Sequence, residues 1–110
     1  MVNGSSEAEG RVEIQYNGQW GTICDDLWNI TAAHVVCRML GFTKASNYWI
    51  ESHFGGGNGS IWLDDVFCTG SEMSIYECSH SNWRVHNCRH TEDVGVTCSN
   101  GEYGITVSCS

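Results

Sequence analysis

Seven cysteines in 110 residues constrain this chain more than any other feature. Six come with distinctive flanks: Trp20-Gly21-Thr22-Ile23-Cys24-Asp25-Asp26, Val35-Val36-Cys37-Arg38-Met39-Leu40-Gly41, Trp62-Leu63-Asp64-Asp65-Val66-Phe67-Cys68, Cys78, Asn87-Cys88 and Val96-Thr97-Cys98. A single short domain buries little core and gains from covalent staples. Cysteine at this density points to a disulfide scaffold folded outside the reducing cytosol. A zinc protein is the alternative, and the absence of any Cys-x-x-Cys pair argues against it. Spacing alone leaves the pairing open.

Thirteen acidic residues against five basic ones give a net charge of −8. No basic stripe exists for nucleic acid, and no polybasic patch for phosphate or heparin. Most of this charge is accounted for by solubility; the other use of clustered carboxylates is to hold cations. No apolar run approaches the ~20 residues that span a bilayer. Met1-Val2-Asn3-Gly4 leads into polar sequence with no signal peptide, which is expected of a processed fragment of an exported protein. Sequons at Asn3, Asn29 and Asn58 are candidate glycosylation sites and agree with a secretory route.

Val12, Ile14 and Tyr16 alternate with Glu13 and Gln15, and Asn17-Gly18 suits a type I′ turn, so residues 11–24 read as a hairpin. Residues 31–40 read as a helix capped by Thr31, with Ala33, Val36, Cys37 and Leu40 on one face and Gly41 closing it. A second short helix is expected over 71–78, capped by Ser71. Strands are expected at 47–51, 61–67, 94–98 and 103–107. The run Gly55-Gly56-Gly57-Asn58-Gly59 lacks the Gly-Lys-Ser/Thr of a phosphate cradle and reads as a structural loop.

Taken in order, these flanked cysteines resemble the scavenger receptor cysteine-rich (SRCR) domain. Gly10-Arg11-Val12-Glu13-Ile14 and Glu92-Asp93-Val94-Gly95-Val96 belong to the same pattern, which runs from about Val2 to Ser99. Phe42 stands where an eight-cysteine group carries another cysteine, so the chain is similar to the six-cysteine group of macrophage scavenger receptors. The resemblance implies an α+β fold, a curved antiparallel sheet cradling one main helix. It also implies the pairs Cys24–Cys88, Cys37–Cys98 and Cys68–Cys78. The two long loops thus closed would each stabilise the fold by about 4 kcal/mol on chain-entropy grounds. Residues 1–99 then form the domain, and 100–110 an extension whose Cys109 has no family counterpart. Cys109 pairs with another domain of a longer parent, links two chains or stays free, the first being favoured.

A Cys24–Cys88 bridge would hold its two Cα atoms about 4.4–6.8 Å apart and bring Asp25 and Asp26 toward Asn87 and Glu92. Crowded carboxylates must stay hydrated, take up protons or bind a cation. Oxygen donors without histidine or thiolate favour calcium, with magnesium the alternative. The resemblance implies a first site from Asp25, Asp26 and Glu92, and a second from Asp64 and Asn87, with Asp65 an additional oxygen.

Histidines 34, 53, 80, 86 and 90 and the serines form no catalytic motif, and Gly-x-Ser-x-Gly is absent, so no enzyme activity is expected. Trp20, Trp28 and Trp62 are expected to pack, while Trp83, Arg84 and Arg89 are candidate ligand contacts. The expected function is that of an extracellular recognition module, secreted or on an ectodomain. It would bind anionic polymers, microbial surfaces, modified lipoproteins or acidic protein ligands through calcium, as part of a larger multidomain chain. The rivals are a non-catalytic accessory domain of a secreted protease or oxidase, and a structural adhesion or oligomerisation module.

Overall fold

The computed structural model describes residues 4, 8–81 and 88–99. Among them, seven strands and helices order as β1 (Glu9–Arg11), β2 (Glu13–Tyr16), β3 (Gln19–Ile23), α1 (Ile30–Met39), β4 (Lys44–Trp49), β5 (Ser60–Leu63) and β6 (Gly95–Ser99). Two 3-10 turns, Ile75–Glu77 and His90–Glu92, complete the set. Among the described residues, no helix is long and apolar enough to cross a membrane.

The expected hairpin is present between β2 and β3, with Glu13 opposite Thr22 and Tyr16 opposite Gln19. Asn17 and Gly18 both take positive φ, 53° and 79°, as a type I′ turn demands. Arg11, however, leaves the hairpin: β1 pairs antiparallel with β6, Glu9 opposite Thr97. There are therefore two three-stranded sheets, β1-β6-β4 and β2-β3-β5, in place of one curved sheet. The second is mixed, because β5 runs parallel to β3. Alternation identifies which residues face inward, but strand direction is set by the long connections that local pattern does not encode.

Helix α1 begins one residue earlier than its pattern suggests. Asn29, not Thr31, is the cap, and its Oδ1 accepts the Ala32 N–H at 3.1 Å. Ala32, Ala33, Val35, Val36 and Cys37 are buried, whereas Leu40 lies past the end of the helix and is 46% exposed. The helix packs on β4 and β6. His34 accepts the Ala45 N–H at 3.0 Å, joining helix to sheet; burial, then Arg38 and Lys44, lower its pKa. The second helix is only the 3-10 turn Ile75–Glu77, capped by Ser74 rather than Ser71 and lying within the loop closed by Cys68–Cys78.

Cys24–Cys88, Cys37–Cys98 and Cys68–Cys78 are bridged, with Cα separations of 6.2, 5.5 and 4.7 Å. The core holds Ile23, Trp28, Val35, Trp62, Leu63, Val66, Ile75, Val94 and Val96 around the Cys37–Cys98 and Cys68–Cys78 bridges, while Cys24 and Cys88 pack with Ile61 in a separate cluster. Trp28 and Trp62 pack as expected, but Trp20 is 59% exposed. On β3 the inward place beside it belongs to Gly21, whose missing side chain makes room for the Trp62 indole. That indole donates Nε1–H to the Gln19 carbonyl at 3.0 Å.

Candidate functional site

The residues around Cys24–Cys88 come from four places in the chain. Cys24 leaves β3, and its N–H bonds the Leu63 carbonyl at 2.9 Å, which ties the Asp25-Asp26 segment to the end of β5 and Asp64. The Asp25 N–H bonds the Glu92 carbonyl at 2.9 Å, placing the His90–Glu92 turn alongside. The turn after β4 supplies the Glu51 N–H, which donates to Asp25 Oδ2 at 2.9 Å.

Two acidic groupings result. In one, Asp25, Asp26 and Glu92 gather beside Cys24; in the other, Asp26 and Asp64 gather beside Cys24 and Cys88. In each grouping the donor atoms lie within 4.8 Å of one another. The cysteine sulfurs are spent in a disulfide, so the oxygens alone are available to a cation. Asp26 Oδ2 lies 3.8 Å from Cys88 Sγ, a contact in which the bridged sulfur has no proton to donate.

The electrostatics reflect this crowding. Burial raises the Asp25 pKa, the Glu51 N–H opposes it, and the charges of Glu92, Asp26 and Glu51 raise it further. Burial raises Asp64 as well, against the Asp65 N–H that donates to its Oδ1 at 2.7 Å, and Asp26 adds to the rise. Among the described residues, no ion pair neutralises Asp25, Asp26, Asp64 or Glu92. A set of carboxylate oxygens, half-buried and unneutralised, fits a hard divalent cation better than a soft one.

The arrangement differs in detail from the expected pair of sites. Asp26 belongs to both groupings, while Asp65 is exposed and gives Asp64 its backbone N–H rather than its carboxylate to the cluster. Asn87, Trp83, Arg84, Asn3, Cys109 and the strand expected at 103–107 lie outside the described residues. Arg89 is exposed, and its N–H donates to Glu92 Oε1 at 3.2 Å, steadying that carboxylate. Of the other sequon asparagines, Asn29 caps α1 and Asn58 is exposed. A third grouping, Cys68, Glu72 and Cys78, is a loop lock: the Thr69 N–H, followed by the Gly70 N–H and Thr69 hydroxyl, holds Glu72 down to about 2.

Sequence reasoning missed the buried network behind the first grouping. Asp93 is fully buried, and its Oδ2 meets His90 Nδ1 at 2.8 Å and the Gly57 N–H at 2.7 Å. His90 Nε2 faces the Gly59 carbonyl at 2.9 Å. This fastens the glycine-rich loop against the turn that carries Glu92. A side chain on Gly57 would come within 2.8 Å of Thr22 Cγ2, so close approach explains its glycine. Arg11, 7% exposed, binds Glu13 Oε2 at 2.9 Å and the Gly55 carbonyl at 3.1 Å. The available signal was the Glu92-Asp93-Val94-Gly95-Val96 pattern, and nothing in it distinguishes the half-exposed Glu92 from the buried Asp93.

The family description "Scavenger receptor cysteine-rich domain" matches residues 2–99. Galectin-3-binding protein of Rattus norvegicus is 52% identical over 107 residues, 97% of this chain and 19% of that protein. Lysyl oxidase homolog 2 of Bos taurus is 58% identical over 92 residues, 84% of this chain and 12% of that protein. Among solved structures, the SRCR domain of mouse MARCO in its dimeric form matches with a TM-score of 0.77 at 50% identity, covering 83% of this chain and 86% of that one. The third SRCR domain of murine neurotrypsin matches at 0.83 and 47% identity, covering 93% and 95%. The chain belongs to the SRCR family, in its six-cysteine group. It spans about a fifth or less of the curated relatives it matches, proteins as different as a galectin-3-binding protein and a lysyl oxidase homolog.

Proposed function

We propose that this domain is an extracellular recognition module that binds anionic or acidic ligands through calcium, with magnesium the alternative ion. Asp25, Asp26 and Glu92 would hold one ion, and Asp26 with Asp64 a second, which Asn87 is placed by sequence to complete. The observation that carries the reading is a pair of groupings that share Asp26, one with Asp25 and Glu92 and one with Asp64, whose oxygens lie within 4.8 Å inside each grouping and have no cationic partner among the described residues. A chain of net charge −8 repels polyanions. A bound divalent ion would reverse that locally and offer open coordination positions to a sulfate, phosphate or carboxylate. The protein's part is to hold oxygens at fixed spacing: the bridge fixes Asp25 and Asp26, Glu51 orients Asp25, and the Arg89 N–H orients Glu92. Extracellular modules of this kind bind calcium weakly, at about 10⁻⁴–10⁻³ M.

In this reading the domain has no catalytic role, and it acts as one part of a longer secreted or ectodomain-bearing protein. Residues 100–110 form a connecting extension in which Cys109 bridges to a neighbouring domain. The test is calorimetric titration of calcium into wild type and an Asp25→Ala/Asp26→Ala variant, with binding to polyanion-coated beads followed with and without chelator. Wild type should bind calcium and retain beads only in its presence. Equal curves for the two proteins would refute the reading.

A further inference from the structure

The turn that leaves β4 holds two consecutive non-glycine residues in the left-handed region, Glu51 and Ser52, each at φ 54°. Such backbone is costly for a residue with a side chain, and two in succession need compensation from their surroundings. The compensation is visible. The Glu51 N–H donates to Asp25 Oδ2 at 2.9 Å. The Ser52 hydroxyl donates to the His90 carbonyl and accepts the Asp93 N–H at 3.0 Å. The Ser52 N–H donates to the Asp93 carbonyl at 3.1 Å. Ser52 thus grips the backbone on both sides of Glu92, while its neighbour grips the carboxylate of Asp25. The second link between those two acids is the Asp25 N–H to Glu92 carbonyl bond, at 2.9 Å.

We propose that Ser52 is a positioning residue for the first acidic grouping: the strained Glu51-Ser52 turn sets the spacing between the Asp25 and Glu92 carboxylates, and the ion affinity depends on that spacing. This rests on the cation-dependent reading above. Ser52 touches no ion itself; it acts through Glu92 in the way a partner behind a ligand tunes a metal site. The bonds from Ser52 to the His90–Asp93 backbone are made with residue 52 in the left-handed region, so they offset the cost of that φ.

The discriminating variant is Ser52→Gly. Glycine adopts φ 54° without cost, so the turn can form while the hydroxyl bridge is lost. Ser52→Ala removes the same bridge and keeps the strain. Calcium affinity by calorimetry should fall about tenfold in both. In chelator, amide hydrogen exchange should quicken at residues 51 and 89–93 and nowhere else, and the melting temperature of Ser52→Gly should stay near wild type. Calcium binding by Ser52→Gly equal to wild type, with Asp25→Ala/Asp26→Ala abolishing it, overturns the positioning role and leaves the cation reading intact. No calcium binding by wild type overturns both.

Discussion

Replacing Asp26 with asparagine should stabilise the ion-free domain while removing its response to calcium. Asp26 is the one carboxylate common to both groupings, with oxygens of Asp25, Glu92 and Asp64 within 4.8 Å in one or the other. Two unit charges at that separation repel by about 3.5 kcal/mol at an effective dielectric of 20 and about 0.9 kcal/mol in bulk water. Asp25, Asp26 and Glu92 are half-exposed, so the lower figure governs most pairs. Relief over the three partners is then about 1–3 kcal/mol, or roughly 4 °C of Tm per kcal/mol for a domain of this size. Asparagine also offers an N–H to the buried Asp64 carboxylate. With an ion at 100 times its Kd, wild type should gain about 2.7 kcal/mol per site. Differential scanning of both proteins in chelator and in excess calcium reads these terms directly. Asp26→Asn should melt above wild type in chelator and barely move with calcium, while wild type should climb. An Asp26→Asn protein that melts at or below wild type in chelator, or that keeps the full calcium shift, would refute the crowding argument.

Four further outcomes follow from the structure. Cys37→Ala/Cys98→Ala opens a 61-residue loop and should cost about 4 kcal/mol by urea denaturation, whereas Cys68→Ala/Cys78→Ala opens one of 10 and should cost about 3 kcal/mol. Burial lowers the His90 pKa, but the Gly59 carbonyl and Asp93 outweigh it and raise the value above its unfolded one; the stabilisation is therefore full at acid pH and lost as pH rises through the folded value, so the stability gap between wild type and His90→Gln should narrow from pH 5.5 to 8.5. The raised values of Asp25 and Asp64 mean that calcium must compete with protons, so affinity should drop on acidification from pH 7.5 to 5, and a pH-independent Kd would contradict it. Gly21→Ala should cost about 1–3 kcal/mol, because its Cβ would sit 2.4 Å from Trp62 Cδ1 and 2.6 Å from the Ser60 carbonyl, a clash visible as a lower urea midpoint.

Much of the local architecture was legible. The Asn17-Gly18 turn, the buried face of α1 and the strand at β6 follow from alternation, helical spacing and turn chemistry. The pairing of cysteines came from family resemblance, since spacing cannot choose among schemes. What escaped was non-local. Nothing in Glu9-Gly10-Arg11 says that it joins β6 rather than the hairpin next to it, and nothing in Ser60–Leu63 says that it runs parallel to β3. The acidic site shows the same limit. Asp25, Asp26, Glu92 and Asp64 were identifiable by type, but the sharing of Asp26 depends on how two loops meet. Asp93 falls in the Glu92-Asp93-Val94-Gly95-Val96 pattern, which does not say that it is buried, and Ser52 carries no motif; their roles arise from a buried carboxylate and a left-handed turn that only three-dimensional packing creates.

Strands β1 and β6 lie side by side in opposite directions, with Ala8 accepting the Cys98 N–H at 2.7 Å. Polypeptide arriving at β1 and departing from β6 therefore passes through the same end of the domain. In any longer protein such a unit hangs from its host like a pendant on a doubled cord. It can be strung repeatedly, or spliced between other modules, without prising its neighbours apart.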